Sequence, residues 1–175
     1  YVATLAYSFG LKQIVMIDVL ALAGLYTVRI VAGAAATGIA LSFWLLMFAI
    51  FIFLSLAIVK RYAELYAMRQ QGKLKAKGRG YQVDDLALLQ SLGGASGYLS
   101  ILVLALYVNS PDISVLYKHP KMAWALVPVM LYWISRIWMQ THRGQMHDDP
   151  LVYALKDKVS LLTGVVAAVV LWLAL

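Results

Sequence analysis

The sequence predicts an all-α fold, a polytopic bundle of transmembrane helices, and three observations predict it. Of 175 residues, 63% are hydrophobic and only 13% are charged, whereas a soluble domain carries about a quarter of its residues charged. The apolar residues are gathered into runs long enough to cross roughly 30 Å of hydrocarbon, for which a helix needs roughly 20 residues. The breakers fall between those runs: Gly10, Gly38, Gly72, Gly78, Gly80, Pro111, Pro120, Gly144 and Pro150.

Taken in order, Tyr1–Phe9 read as the end of one span, closed by Gly10. The first full span is Ile14–Ala36, with Asp18 near its start and Arg29 near its end; the second, Ile39–Val59, carries no charge. A cytoplasmic loop is expected over residues 66–84. The third span, Leu86–Ser110, is uncharged throughout, and the fourth is Met122–His142. Pro128 lies inside the fourth span and is expected to kink it, because proline removes a backbone hydrogen bond that neighbouring helices must then replace. The fifth is Val159–Leu175. Small residues cluster in the first span (Gly24, Gly33, Ala34, Ala35, Ala36) and in the third (Gly93, Gly94, Ala95, Ser96, Gly97), and such faces let helices approach closely. The expectation is about five spans plus the end of a sixth, in a single membrane domain over residues 1–175. The start has neither a basic segment nor a small-residue cleavage site and no initiator Met. The chain is therefore expected to be the C-terminal part of a larger membrane protein.

Alternation of the spans sorts the connecting segments onto two sides. Of the 15 lysines and arginines, all but Arg29, Lys118 and Lys121 fall on the side of Lys12, Lys60–Asp85 and Arg136–Lys158. The positive-inside rule makes that side cytoplasmic, and because apolar runs alone set the alternation, the charge bias tests it independently. There are no cysteines, which removes disulfides, thiolate metal sites and cysteine nucleophiles together. The basic residues are read as contacts to membrane lipids and phosphate, with no nucleic acid as partner.

Lys60 and Arg61 stand side by side where the second span leaves hydrocarbon, and Glu64 lies one turn beyond Arg61 on the same helical face. A snorkelling pair at the membrane boundary is one reading. The other is an anion site, because Lys12, Arg79, Arg136 and Arg143 belong to the same membrane face. Arg136 and Arg143 are about two turns apart, on one side of their helix. In "GRGY", Gly78–Tyr81, two glycines free the backbone around a guanidinium and a phenol, an arrangement suited to close approach to phosphate. Lys73, Lys75 and Lys77 in the same loop also suit anionic lipid headgroups. Asp18 lies about six residues into its span, and a carboxylate at that depth has a partner or a job: a salt bridge to a neighbouring helix or a part in catalysis. Arg29 is placed near the far surface with a structural part. His147, Asp148 and Asp149 are possible metal ligands, or Asp148 and Asp149 cap a short helix that follows.

With these residues in place, the chain resembles the C-terminal part of the UbiA superfamily of intramembrane prenyltransferases. Within it, the chain is similar to the decaprenyl-phosphate phosphoribosyltransferase branch, including bacterial relatives in which such a domain follows a phosphatase-like one. The resemblance is carried by "AYSFGLKQIVMID" (Ala6–Asp18), "LAIVKRYAEL" (Leu56–Leu65), "GRGY", "SGYLSILVLALYVNS" (Ser96–Ser110) and "YWISRIWMQTHRGQMHDDPLVYALKDKVSLLTG" (Tyr132–Gly164). Superfamily members carry two aspartate-rich motifs that hold Mg²⁺ against a prenyl diphosphate. The first, of Asn-Asp-x-x-Asp type, would lie upstream of Tyr1, so the main metal ligands are expected there. The place of the second is taken by Lys60, Arg61 and Glu64. Lysine and arginine cannot ligate Mg²⁺, but they can replace its charge.

The resemblance implies transfer of a 5-phosphoribosyl group from phosphoribosyl diphosphate to a polyprenyl (decaprenyl) phosphate at the cytoplasmic face of the inner membrane, with Mg²⁺ on the departing diphosphate. In that reading Lys60, Arg61 and Lys12 hold the diphosphate or the lipid phosphate, Arg79 and Tyr81 close over the donor, and Glu64 orients Arg61. Asp18, Arg136 and Arg143 complete the substrate-binding rim. The product would supply arabinose lipid for cell-envelope glycans. Other readings are an aromatic or tetrapyrrole prenyltransferase, against which the missing second aspartate motif counts, and a transporter for an anionic lipid or metabolite. A transporter would place polar groups near the bilayer midplane with interrupted helices. A structural membrane partner, for which the cations only orient the spans, is the last. Oligomeric state is left open.

Overall fold

The computed structural model describes residues 13–38, 41–73, 80–111, 113, 117–146 and 149–175. Among them the chain is all-α: α1 (Ile17–Thr37), α2 (Phe43–Gln70), α3 (Leu86–Val108), α4 (Leu126–His142), α5 (Pro150–Lys156) and α6 (Lys158–Ala174). A 3₁₀ turn, Val83–Asp85, leads into α3, and another, Pro120–Ala125, leads into α4. Four spans are long and apolar enough to cross a bilayer: α1, α2, and α3 and α4 with their leading turns. A fifth results if α5 and α6, bent by 83° at Asp157, count as one. Large apolar side chains such as Leu102, Leu162 and Trp172 face outward, as expected where the solvent is lipid. The chain is a multi-pass membrane protein.

Local chemistry explains the boundaries. Gly38 ends α1 in the left-handed region, φ 69°, where its N–H reaches the carbonyl of Ala34. α2 does not stop with the apolar run. The segment after Val59, KRYAELYAMRQ, contains no glycine or proline and is rich in good helix formers, so Tyr66–Gln70, expected in the loop, are its last turns. The Asp85 carboxylate accepts the Gln82 N–H at 2.8 Å and starts the turn into α3. Pro128 is third in α4, in the first turn, where an amide has no α-helical partner to lose, so the backbone bond whose loss is expected to kink the span is not there to be lost.

α2 is the central element and packs against α1, α3, α4 and α5. It packs most extensively against α3, whose Gly93 and Gly97 face the place where α2 and α4 meet. A Cβ on Gly93 would overlap the Trp138 indole and come within 2.8 Å of Ile58 Cγ2. One on Gly97 would stand 2.7 Å from Ile134 Cγ1. A short hydrogen-bond chain threads the same crossing: Trp138 Nε1 of α4 donates to Ser55 Oγ of α2 at 3.1 Å, which donates to the Gly93 carbonyl at 2.7 Å. The small residues of α1 behave otherwise. Nothing lies within 4 Å of a Cβ built at Gly24 or Gly33, so neither glycine meets a described element. The tight approach expected of both clusters belongs to α3.

Gly93→Ala should therefore destabilise the chain by about 1–3 kcal/mol through overpacking. Gly24→Ala should be neutral or stabilising by up to about 1 kcal/mol from helix propensity. Thermal unfolding of the two variants in detergent micelles checks this, and equal midpoints would show that α3 does not pack through its glycines.

Candidate functional site

Lys60 and Arg61 are neighbours on an α-helix, so their side chains leave the axis about 100° apart. They therefore serve different elements. Arg61 turns to α1 and is only 2% exposed. Its Nε lies 2.7 Å from Asp18 Oδ2, an approach off the N–H axis and hence an ion pair more than an aligned hydrogen bond. Its Nη1 donates to Glu64 Oε2 at 2.5 Å. Asp18 has no exposed surface at all. Charges this deep are tolerated only in company, and Arg61 supplies the salt bridge that is one of the two expectations for Asp18.

Tyr81 joins the same cluster and is buried. Its hydroxyl accepts the Met16 N–H at 2.9 Å, and Met16 holds a left-handed φ of 66° just before α1 begins. Gly80 lies flat on this entry: a Cβ there would come within 2.7 Å of Val15 Cγ2 and 3.1 Å of the Gln13 carbonyl. Burial pushes the Tyr81 phenol up, against the lowering effect of the Met16 N–H, so it stays protonated at neutral pH. Asp18, Arg61, Glu64 and Tyr81 are thus brought together by α1, α2 and the segment that precedes α3.

Lys60 turns the other way, towards α5. Its Nζ lies 2.6 Å from Asp149 Oδ2, with the two side chains 35% and 26% exposed. Asp149 Oδ1 accepts the Leu151 N–H at 3.1 Å and so caps α5, one of the two expectations for it. Beside the pair is a crevice of about 20 Å³ lined by Leu22, Tyr26, Phe53 and Leu56, room for about one water. The Tyr26 ring stacks on Phe53 and also lies under Arg29, whose guanidinium carbon is 5.1 Å from the ring centre.

Arg136 does not stand free on a shared rim with Arg143. Its two terminal nitrogens grip Asp157 at 2.6 and 3.1 Å, and Asp157 also accepts the Ser160 N–H at 2.8 Å, capping α6. Arg143 lies just past α4 and is exposed. Lys73 donates to Gln71 at 2.9 Å. Lys12, Lys75, Lys77, Arg79, His147 and Asp148 lie outside the described residues. Among the described residues no three His, Cys, Asp or Glu side chains gather as a metal site, and Asp18, Glu64, Asp149 and Asp157 each face a cation. These residues do not fit a Mg²⁺ centre.

Sequence reasoning missed the partners of Lys60 and Arg136. Asp149 lies 89 positions from Lys60 and Asp157 lies 21 from Arg136, separations at which no periodicity connects two residues. The available signal was local, an aspartate before a proline and another before a new apolar run, and it announces helix caps only.

Removing one member of the buried pair should cost about 3–5 kcal/mol, because the other charge is stranded. Asp18→Asn and Arg61→Met should each show that loss in denaturant unfolding in micelles, and the double variant Asp18→Leu with Arg61→Met should recover most of it. Single variants as stable as the native protein would show that the pair does not fasten α1 to α2.

No family model matches the chain. It is 39% identical over 166 residues to uncharacterized protein y4nM of Sinorhizobium fredii, covering 94% of this chain and 32% of that protein. It is 36% identical over 146 residues to nodulation protein NoeC of Azorhizobium caulinodans, covering 83% and 48%. It is 27% identical over 162 residues to decaprenyl-phosphate phosphoribosyltransferase of Mycolicibacterium smegmatis, covering 91% and 51%. The chain spans about a third to a half of the length of these curated relatives. It is a multi-pass helical membrane chain with a distant, partial relative named as a transferase.

Proposed function

We propose that the protein transfers a 5-phosphoribosyl group from phosphoribosyl diphosphate to a polyprenyl phosphate of the decaprenyl type, at the cytoplasmic face of the inner membrane, as a UbiA-type transferase. One observation carries the reading. Lys60, a partly exposed cation where the apolar part of α2 ends, belongs to a chain similar over 91% of its length to a protein named for that reaction.

In this reading an oxygen of the acceptor phosphate attacks the anomeric carbon of the ribose. The bond from that carbon to the diphosphate oxygen breaks, and diphosphate leaves with the electron pair. No base is required, because a phosphate monoester is already ionised near neutral pH. What the protein must do is hold a water-soluble donor against a lipid acceptor and stabilise the charge that develops on the leaving group. Lys60 does the second, with Lys12 and Arg79 as further phosphate contacts. Arg61, Glu64 and Asp18 position the end of α2, and Tyr81 fixes the segment that follows Arg79. Arg136 fixes the end of α5, and exposed Arg143 meets lipid headgroups. Mg²⁺ would supply charge neutralisation of diphosphate, but among the described residues no three His, Cys, Asp or Glu side chains gather to hold it.

The test uses membranes containing the intact protein, labelled phosphoribosyl diphosphate and polyprenyl phosphate. Label should enter lipid, and Lys60→Ala should reduce the rate by about 10²-fold or more, the loss typical of one preorganised charge contact. Equal labelling by native protein and variant, or labelling only from a prenyl diphosphate donor, would overturn the reading.

A further inference from the structure

Lys60 already has an anion. Asp149 Oδ2 sits 2.6 Å from its ammonium, in one of the three directions in which that group can donate to a phosphate oxygen. A phosphate brought to Lys60 while Asp149 stayed in place would put like charges within about 4 Å of each other, where they repel. The ligand and the carboxylate therefore compete for the cation.

The fold gives the carboxylate somewhere to go. Asp149 opens α5, a helix of 7 residues, far below the length at which a helix is stable alone. Its position depends on what holds it. At its far end Asp157 grips Arg136 through two hydrogen bonds and caps α6 at once, and this pair is 18% and 15% exposed. The Asp149 end is held through one ammonium contact, with both side chains more exposed, and through Leu151 and Tyr153 packed on Leu56, Val59 and Ile137. The two ends differ in strength, and the weaker one covers the cation.

We propose that Asp149 is a built-in counter-ion that competes with a phosphorylated ligand for Lys60. When a phosphate takes Lys60, the first turn of α5 is released while the Arg136–Asp157 pair holds its other end as the pivot. Asp149 is in this sense a positioning residue: it keeps the ammonium aimed and neutralised beside hydrocarbon until an anion arrives. The inference rests on the reading of Lys60 as a phosphate contact. The ligand group is a diphosphate or a phosphate monoester, which the donor and the acceptor lipid respectively would bring.

The experiment uses the intact protein in detergent and Asp149→Asn. Asparagine caps a helix as well as aspartate does, so the variant removes the charge and keeps the cap. Titrated with inorganic diphosphate, Asp149→Asn should bind about three- to tenfold more tightly than the native protein, the change expected for a partly exposed competing ion pair. Hydrogen exchange should report the release. The Tyr153 N–H bonded to the Asp149 carbonyl should exchange faster when diphosphate is added to the native protein. In Asp149→Asn and Lys60→Met it should exchange fast from the start, and Lys60→Met should give no further response. Repeating the titration with a short-chain prenyl monophosphate in mixed micelles assigns the source: tightening with diphosphate alone places the donor at Lys60, and tightening with the monophosphate alone places the acceptor there. Equal or weaker binding of both ligands by Asp149→Asn would overturn the proposal, as would unchanged Tyr153 exchange in native protein saturated with ligand. Tighter diphosphate binding by the variant, in a protein that transfers no label, would leave the counter-ion standing and remove the phosphoribosyl reading.

Discussion

A charged side chain beside hydrocarbon must bring its own counter-charge, and that requirement builds the basic end of this bundle. Arg61 of α2 draws in Asp18 of α1 and Glu64 of its own helix. Lys60 takes Asp149 at the start of α5, and Arg136 of α4 takes Asp157 at the α5–α6 corner. Three of the four contacts join separate elements. Ion pairs at such depth add little net stability over well-packed apolar side chains. Their effect here is one of register: an alternative docking of α1 or α5 would strand a charge, so it is excluded at a cost of several kcal/mol.

Division of labour follows from burial. Arg61 is enclosed and held by two carboxylates, so its charge is spent inside the protein. Lys60 is a third exposed and has one carboxylate, itself on a short helix. Of two adjacent cations, one therefore organises the end of α2 and the other is exchangeable. A lysine suits that second place, being a compact point charge on a flexible stem, whereas the rigid fork of arginine suits the two-carboxylate clamp.

The spans were legible because bilayer thickness imposes a length that any apolar run either meets or does not, and the positive-inside bias was legible because it is a sum over loops. The pairing of Glu64 with Arg61 was legible too, since residues one turn apart share a helix face. The ends of elements were less so. Hydropathy places the end of the second span at Val59, but backbone hydrogen bonding continues through any segment of good helix formers, and α2 runs on to Gln70. Grouping Lys60 with Arg61, and Arg136 with Arg143, reads adjacency along the chain as adjacency in space. Lys60 and Arg61 each found a carboxylate on a separate element, at the start of α5 and on α1, and Arg136 found one at the α5–α6 corner. Such partners are set by tertiary packing, which one sequence does not display.

What decides which cation faces which partner is the rotation of α2 about its axis. A turn of about 100° would deliver Lys60 to the Asp18 pocket. Nothing in the apolar composition of α2 prevents this, since an evenly hydrophobic helix has no preferred face. The constraint comes from deeper in the bundle, about 7.5 Å below Lys60 along the axis, where Ser55 bonds the Gly93 carbonyl and receives the Trp138 indole N–H. In hydrocarbon these polar groups have no water to turn to, so the serine must face α3 and α4. With Ser55 so oriented, Arg61 points to α1 and Lys60 to α5. A hydroxyl in the apolar core of the bundle thus sets the charge arrangement at its rim, which is why the glycines of α3, far from any charge, belong to the account of the site.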